Sequence, residues 1–224
     1  MSSNSKTEDT ILLENKPYLT KQEISVLLQK TGRNLDKKVS QLLKKGYLLT
    51  LKNGLYTTEA YIKSQSAQSR EFLATALYYP SYLSLEYVLQ KEGLIPEAVY
   101  AYTSITLKPT KVFTNTLGTF IYRTIKESLF TGYQFVRYNE SYQTKIASGA
   151  KALFDLLYLK PLPRTVSGKR QVIADLRINW ATISKDDMAE FATYVKLSQS
   201  QKMTQVVNII AKETAWYSKN YNLQ

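Results

Sequence analysis

Leu35–Thr58 reads LDKKVSQLLKKGYLLTLKNGLYTT, a lysine-bearing helical pattern that runs straight into a hairpin pattern. It holds five lysines against one acid, Asp36. At about 100° per residue, Leu35, Val39, Leu42 and Leu43 fall on one side of a helix. The other side carries Arg33, Lys37, Ser40, Gln41 and Lys44, with Asn34 and Lys45 at one margin and Lys38 completing the basic set. The spacing predicts this helix over about Asn34–Lys45, with Gly46 where a left-handed C-cap is wanted. YLLTL and LYTT then flank KNG, and Asn53-Gly54 is a strong short-range hairpin signal.

Upstream, a first helix is expected around Glu8–Asn15, broken by Lys16-Pro17. Thr20–Glu23, TKQE, is a capping box, and Ile24, Leu27 and Leu28 follow at helical spacing, with Gly32 expected to stop that helix. Three helices and a two-stranded wing make the expected pattern of a winged helix-turn-helix. Its third helix would enter a major groove. Lysine and arginine contact phosphates, while Arg33, Asn34 and Gln41 have the forked groups that read base edges. Lys52 and Asn53 are expected at the wing tip, against the adjacent backbone. The competing reading is a merely solvated helix face, or a winged helix used as a protein-binding scaffold.

Charge supports the first reading. Thirty basic and 18 acidic residues give a net charge of +12 and a pI near 9.6, which favours polyanionic partners. The excess sits in two regions, residues 20–58 and 141–224, around a nearly neutral middle. The 224 residues contain neither cysteine nor histidine. That removes disulfides, thiolate nucleophiles, Cys/His zinc sites and every histidine-based triad. The eight glycines are too widely spaced for a P-loop or a dinucleotide fingerprint. No cofactor or metal is expected. MSSNSKTEDT, the amino terminus, is too polar for a signal peptide, and no apolar run approaches a membrane span. The expected location is the cytoplasm, with no membrane partner.

The polar stretch KSQSAQS marks the expected junction between a DNA-binding unit, residues 1–60, and a second domain, residues 61–224. A helix is expected from Glu71 through Tyr79, and another from Ser84 to Gly93, with Tyr82, Leu83, Leu85, Val88 and Leu89 at helical spacing. Strands are expected at AYTSITL, KVFTN, GTFIYRTI, YQFVRY and YQTKIA. Ile105 and Leu107 alternate with Ser104 and Thr106 as in a half-buried strand. GAKALFDLLYLK reads as an apolar helix on which Asp155 should cap or pair with a basic group. PLPRTVSGKR reads as a basic loop; Lys160, Arg164, Lys169 and Arg170, with Arg177, are either merely solvated or candidates for a secondary DNA contact or a contact with RNA. Two helices, SKDDMAEFATYVKL and SQKMTQVVNIIAKETAWYSKN, close the chain. The whole is α+β, an N-terminal winged helix-turn-helix followed by a small mixed or antiparallel sheet flanked by helices. Arg123, amid apolar neighbours, is expected in a structural role, as a buried ion-pair partner of Glu86 or Glu127, with an exposed anion contact as the alternative. The eighteen tyrosines offer rings for single-stranded bases, though half-buried packing is their commoner use.

PSYLSLEYVL, GLIPE, YTSIT, GTFIYRTIK and LFTGY, between Pro80 and Gln134, resemble motifs of the AbiEi antitoxin family of type IV (abortive-infection) toxin–antitoxin pairs. Ala147–Leu159, ASGAKALFDLLYL, resembles a later helix of that family, with Gly149-Ala150 in place of Pro-Glu. The resemblance spans roughly residues 18–160. It implies a winged helix that represses its own operon, acting on double-stranded promoter DNA. It further implies a second domain that counteracts a cognate AbiEii-like nucleotidyltransferase toxin, by contact, by modification or without a stable complex. The rivals are a toxin-modifying kinase or transferase, and an RNA- or protein-binding module. No catalytic residue is expected.

Overall fold

The computed structural model describes residues 8–14, 16–64, 67–137 and 142–213. The N-terminal part runs α1 (Glu8–Glu14), β1 (Leu19–Thr20), α2 (Lys21–Leu28), α3 (Gly32–Lys44), β2 (Leu48–Lys52) and β3 (Leu55–Thr58). The strands form an antiparallel sheet in the order β1-β3-β2. Thr20 caps α2 as a capping box: its hydroxyl accepts from the Glu23 N–H, and Glu23 accepts from the Thr20 N–H at 2.8 Å. Lys16 donates to the same carboxylate at 2.7 Å, and this bond holds the Glu23 carboxyl below the usual range.

Gly32 does not stop α2. Gln29 ends it in the left-handed region, φ 52°, and Gly32 is instead the first residue of α3. Gly46, at φ 74°, closes α3: its N–H donates to Leu43 O, and the Tyr47 N–H donates to Leu42 O, a Schellman arrangement. Leu35, Val39 and Leu42 pack with Leu13, Leu19, Ile24, Leu28, Leu48 and Tyr56 into a small apolar core.

The remainder comprises α4 (Glu59–Ser64), α5 (Ala67–Leu77), β4 (Ser81–Leu83), α6 (Leu85–Lys91), β5 (Tyr102–Thr106), β6 (Lys111–Asn115), β7 (Gly118–Thr124), β8 (Tyr133–Arg137), β9 (Gln143–Ala147), α7 (Gly149–Leu159), α8 (Val166–Asp175), α9 (Lys185–Ser198) and α10 (Gln201–Glu213). Six strands make a mixed sheet in the order β6-β7-β5-β4-β9-β8, with β5/β7 and β4/β9 parallel. Pairing Tyr82↔Ile105↔Arg123 puts Tyr82 and Arg123 on one face and Tyr122 on the other. Tyr122 donates to Ala74 O of α5, and Tyr82 donates to Asp155 of α7, so the sheet lies between α5 and α7. The fold is α+β with a mixed sheet flanked by helices.

Besides Gly32, three expectations need correction. Tyr82 and Leu83 belong not to a helix but to β4, a three-residue strand at the centre of the sheet. Its flanks supply the reason: it pairs antiparallel with β5 and parallel with β9, partners far along the chain. Strand β5 is not half-buried; Thr103, Ser104, Ile105 and Thr106 are all buried because helices cover both faces. The polar stretch KSQSAQS runs from the end of α4 to the start of α5. VSGKR is no loop but the first half of α8, capped by the Thr165 hydroxyl on the Gly168 N–H. The expected last helix is seen to Glu213, and its remaining residues lie outside the described ones.

The hairpin joins both parts. Leu51 and Leu55 belong to the larger core, and Asn115 of β6 donates to Leu51 O at 3.0 Å.

Candidate nucleic-acid interface

Helix α3 owes its placement to its buried stripe, since each of Leu35, Val39 and Leu42 gains about 1.5–3 kcal/mol on burial. That stripe fixes the rest of the helix facing outward. Arg33, Asn34, Lys37, Ser40, Gln41, Lys44 and Lys45 are all exposed, and Lys38 is half-buried. The single acid on the helix, Asp36, is held by Lys21 of α2 at 2.5 Å, a bond that raises the lysine's pKa. Its charge is therefore balanced locally. Among the described residues, Arg33, Lys37, Lys44 and Lys45 have no carboxylate partner. The result is a helix face of unpaired cations interleaved with two side-chain amides and a hydroxyl. Chemically it suits a polyanion that also offers hydrogen-bonding edges.

The hairpin tip behaves differently from its sequence. Asn53 is exposed, but Lys52 turns inward. Its ammonium donates to Leu77 O at 2.6 Å, the carbonyl of the last residue of α5, where the helix dipole is negative. It also lies 6.0 Å from the centre of the Phe113 ring. Burial, and then the nearby Lys108, push its pKa down. Lys52 ties the hairpin to the second part of the molecule. Nothing local in the sequence signals this, because α5 ends 25 residues further on.

The second basic cluster is scattered. Lys169 is buried, with its ammonium on Arg164 O at 2.7 Å. Arg177 donates through Nε to Glu97 at 2.9 Å. Lys160 ends α7, and Arg164 and Arg170 are exposed, Arg170 on α8. These residues do not form one face comparable with that of α3.

The strongest polar constellation is elsewhere. Lys151 and Asp155, one turn apart on α7, form an ion pair with both side chains fully buried. Asp155 also accepts from Ser84 Oγ at 2.7 Å and Tyr82 Oη at 3.0 Å. The Lys151 ammonium lies 5.0–5.6 Å from the ring centres of Tyr82, Phe154 and Tyr194. Burial pushes the Asp155 carboxyl up and the Lys151 ammonium down, while each partner's charge opposes the shift. Burial, and then Asp155, push the Tyr82 hydroxyl up. With no exposed atom, the pair clamps α7 to β4 and offers no surface to a substrate. The sequence pointed to a partner for Asp155, and the i,i+4 spacing of Lys151 was the available signal.

Among the described residues, no group of three or more carboxylates could hold a metal ion, and no helix is long and apolar enough to cross a membrane. No protein-family model and no curated protein matches the chain.

Proposed function

We propose that the N-terminal part is a winged helix that binds duplex DNA through α3, and that the chain is a cytoplasmic antitoxin of the AbiEi type repressing its own promoter. The observation that carries the reading is the exposed face of α3, where Arg33, Lys37, Lys44 and Lys45 stand unpaired around Asn34, Ser40 and Gln41 while Asp36 is balanced by Lys21. A helix of this make-up meets phosphates with its cations and base edges with its amides. The order of helices, Schellman-closed α3 and hairpin supports the same reading. Lys52 and Lys169 take no part, since their ammonium groups are bonded within the protein. Asn53 remains as the hairpin's contact with the backbone.

The antitoxin assignment is supported by the motif resemblance across residues 80–159. In this reading the second domain opposes a nucleotidyltransferase-like toxin, and the chain itself performs no catalysis. The test has two arms. Gel-shift of the purified chain on the DNA upstream of its own gene should give a specific complex, and Lys37→Glu with Lys44→Glu should weaken it by tenfold or more. Co-expression with the adjacent gene product should relieve growth arrest. Failure to shift any upstream DNA at low salt would remove the repressor reading; unrelieved arrest would remove the antitoxin reading.

A further inference from the structure

A cleft of about 560 Å³ opens on the α7 side of the six-stranded sheet. Its floor is β5 and β7, contributing Thr103, Ile121 and Arg123. One wall is the C-terminal end of α7 with Leu156, Leu159 and Lys160; the other is residues 98–101 and the start of α6, with Leu85 and Glu86. It shares no residue with α3 or the hairpin. The volume is within the range of small-ligand sites, which run from about 300 to 1,000 Å³.

Three features distinguish this cleft from a plain apolar depression. Arg123 is exposed on β7, and neither its guanidinium nor the Lys160 ammonium has a carboxylate partner among the described residues. Glu86, although it lines the same cleft, pairs with neither. Tyr100 stands at the rim with 90% of its surface exposed, the most exposed of the large apolar side chains described. The wall is also strained: Leu85, a non-glycine residue, has φ 59°.

We propose that this cleft binds a nucleoside monophosphate, with the phosphate on Arg123 and Lys160, the base on the Tyr100 ring and the sugar or base donors on Glu86. The planar fork of arginine grips a phosphate through paired hydrogen bonds, so no glycine-rich loop is needed. An exposed tyrosine ring offers a base a stacking surface. A lone carboxylate accepts from the ribose hydroxyls or the exocyclic amino group of a base, groups that inorganic phosphate does not present at that distance from its anionic end. The apolar walls, Val99, Ile121 and Leu159, exclude water around the ligand. This reading is independent of the DNA interface.

Titration calorimetry of the full chain with AMP, GMP, CMP and UMP tests it, with adenosine, inorganic phosphate and hexaglutamate as comparison ligands. At least one nucleotide should bind saturably, with adenosine and phosphate each weaker by about tenfold or more. Arg123→Gln should weaken the best nucleotide by about tenfold, Tyr100→Ala by several-fold, and Lys37→Glu with Lys44→Glu should change nothing. Both cleft residues are exposed, so each variant should keep the wild-type melting curve; should Arg123→Gln lose it, Tyr100→Ala decides alone. Absence of saturation by all the nucleotides below about 1 mM overturns the proposal. So does hexaglutamate binding as tightly as the best nucleotide, or folded cleft variants that bind like the wild type.

Discussion

Lysines on α3 and on α7 meet opposite fates. Lys37 and Lys44 stand in water with no ion-pair partner among the described residues, whereas Lys151 is fully buried against Asp155 and three aromatic rings. The same ammonium group is a solvated charge in one place and a structural rivet in the other. What separates the two is the neighbouring surface. Helix α3 buries one stripe on a small core, so its other side stays wet, while Ala150–Leu157 of α7 are buried on every side, with α6, α9, α10 and β9 packed around them. A buried ammonium must find a counter-charge, which Asp155 supplies, and that carboxylate is in turn held by hydrogen bonds donated by Tyr82 and Ser84.

The contrast is broken most severely at Asp155. Asp155→Ala leaves Lys151 buried and uncompensated, and should cost about 3–5 kcal/mol in urea unfolding. Replacing both, as Lys151→Met with Asp155→Leu, should recover most of that loss. If Asp155→Ala unfolds like the wild type, the rivet account fails. Gly132 comes next. At φ 76° it lies under this cluster, and a Cβ there would overlap the Tyr194 hydroxyl and come within 2.9 Å of Lys151 Cδ. Gly132→Ala should cost about 2–4 kcal/mol by chemical denaturation, combining left-handed strain with overpacking.

Lys52 is intermediate between the two classes, and Lys52→Ala sharpens the boundary. It should cost about 1 kcal/mol, measured by thermal melting, through loss of the bond to Leu77 O. DNA affinity should stay within about twofold, whereas a wing-tip phosphate contact would lose more. A pH effect follows at the N-terminal capping box. The Glu23 carboxyl is depressed below 4.5 in the folded chain, so its contribution is present above that value and is lost as pH falls through the depressed one. Glu23→Gln should flatten this acid-side loss, read from unfolding midpoints between about pH 5 and pH 2. Smallest of all, Lys37→Glu with Lys44→Glu should alter stability by no more than about 0.5 kcal/mol, as expected for wet surface sites.

Local signals carried most of the N-terminal part. The Thr20–Glu23 box, Gly46 and Asn53-Gly54 each act within a few residues, and each produced the feature expected of it. The strands from β5 to β9 were equally legible from β-branched and aromatic runs. The misses share a nonlocal cause. Strand β4 is too short to show a period, and its identity as a strand comes from β5 and β9. The Gly and Ser of VSGKR masked α8, although Thr165 three residues before Gly168 was a readable cap. The inward turn of Lys52 depends on where α5 ends in space. For the candidate interface, the residue types were legible, but the pairing of Asp36 with Lys21 that leaves the cations uncompensated was not.

The central claim, that the wet face of α3 sits on duplex phosphates, is tested most directly by salt. Fluorescence anisotropy on a labelled duplex from the upstream region, across a salt series, gives the slope of log K against log salt. The wild type should show a steep negative slope, and Lys37→Gln with Lys44→Gln should make it shallower by about 2, close to 0.9 per lost phosphate contact. An unchanged slope, or no binding even at about 50 mM salt, would contradict the account.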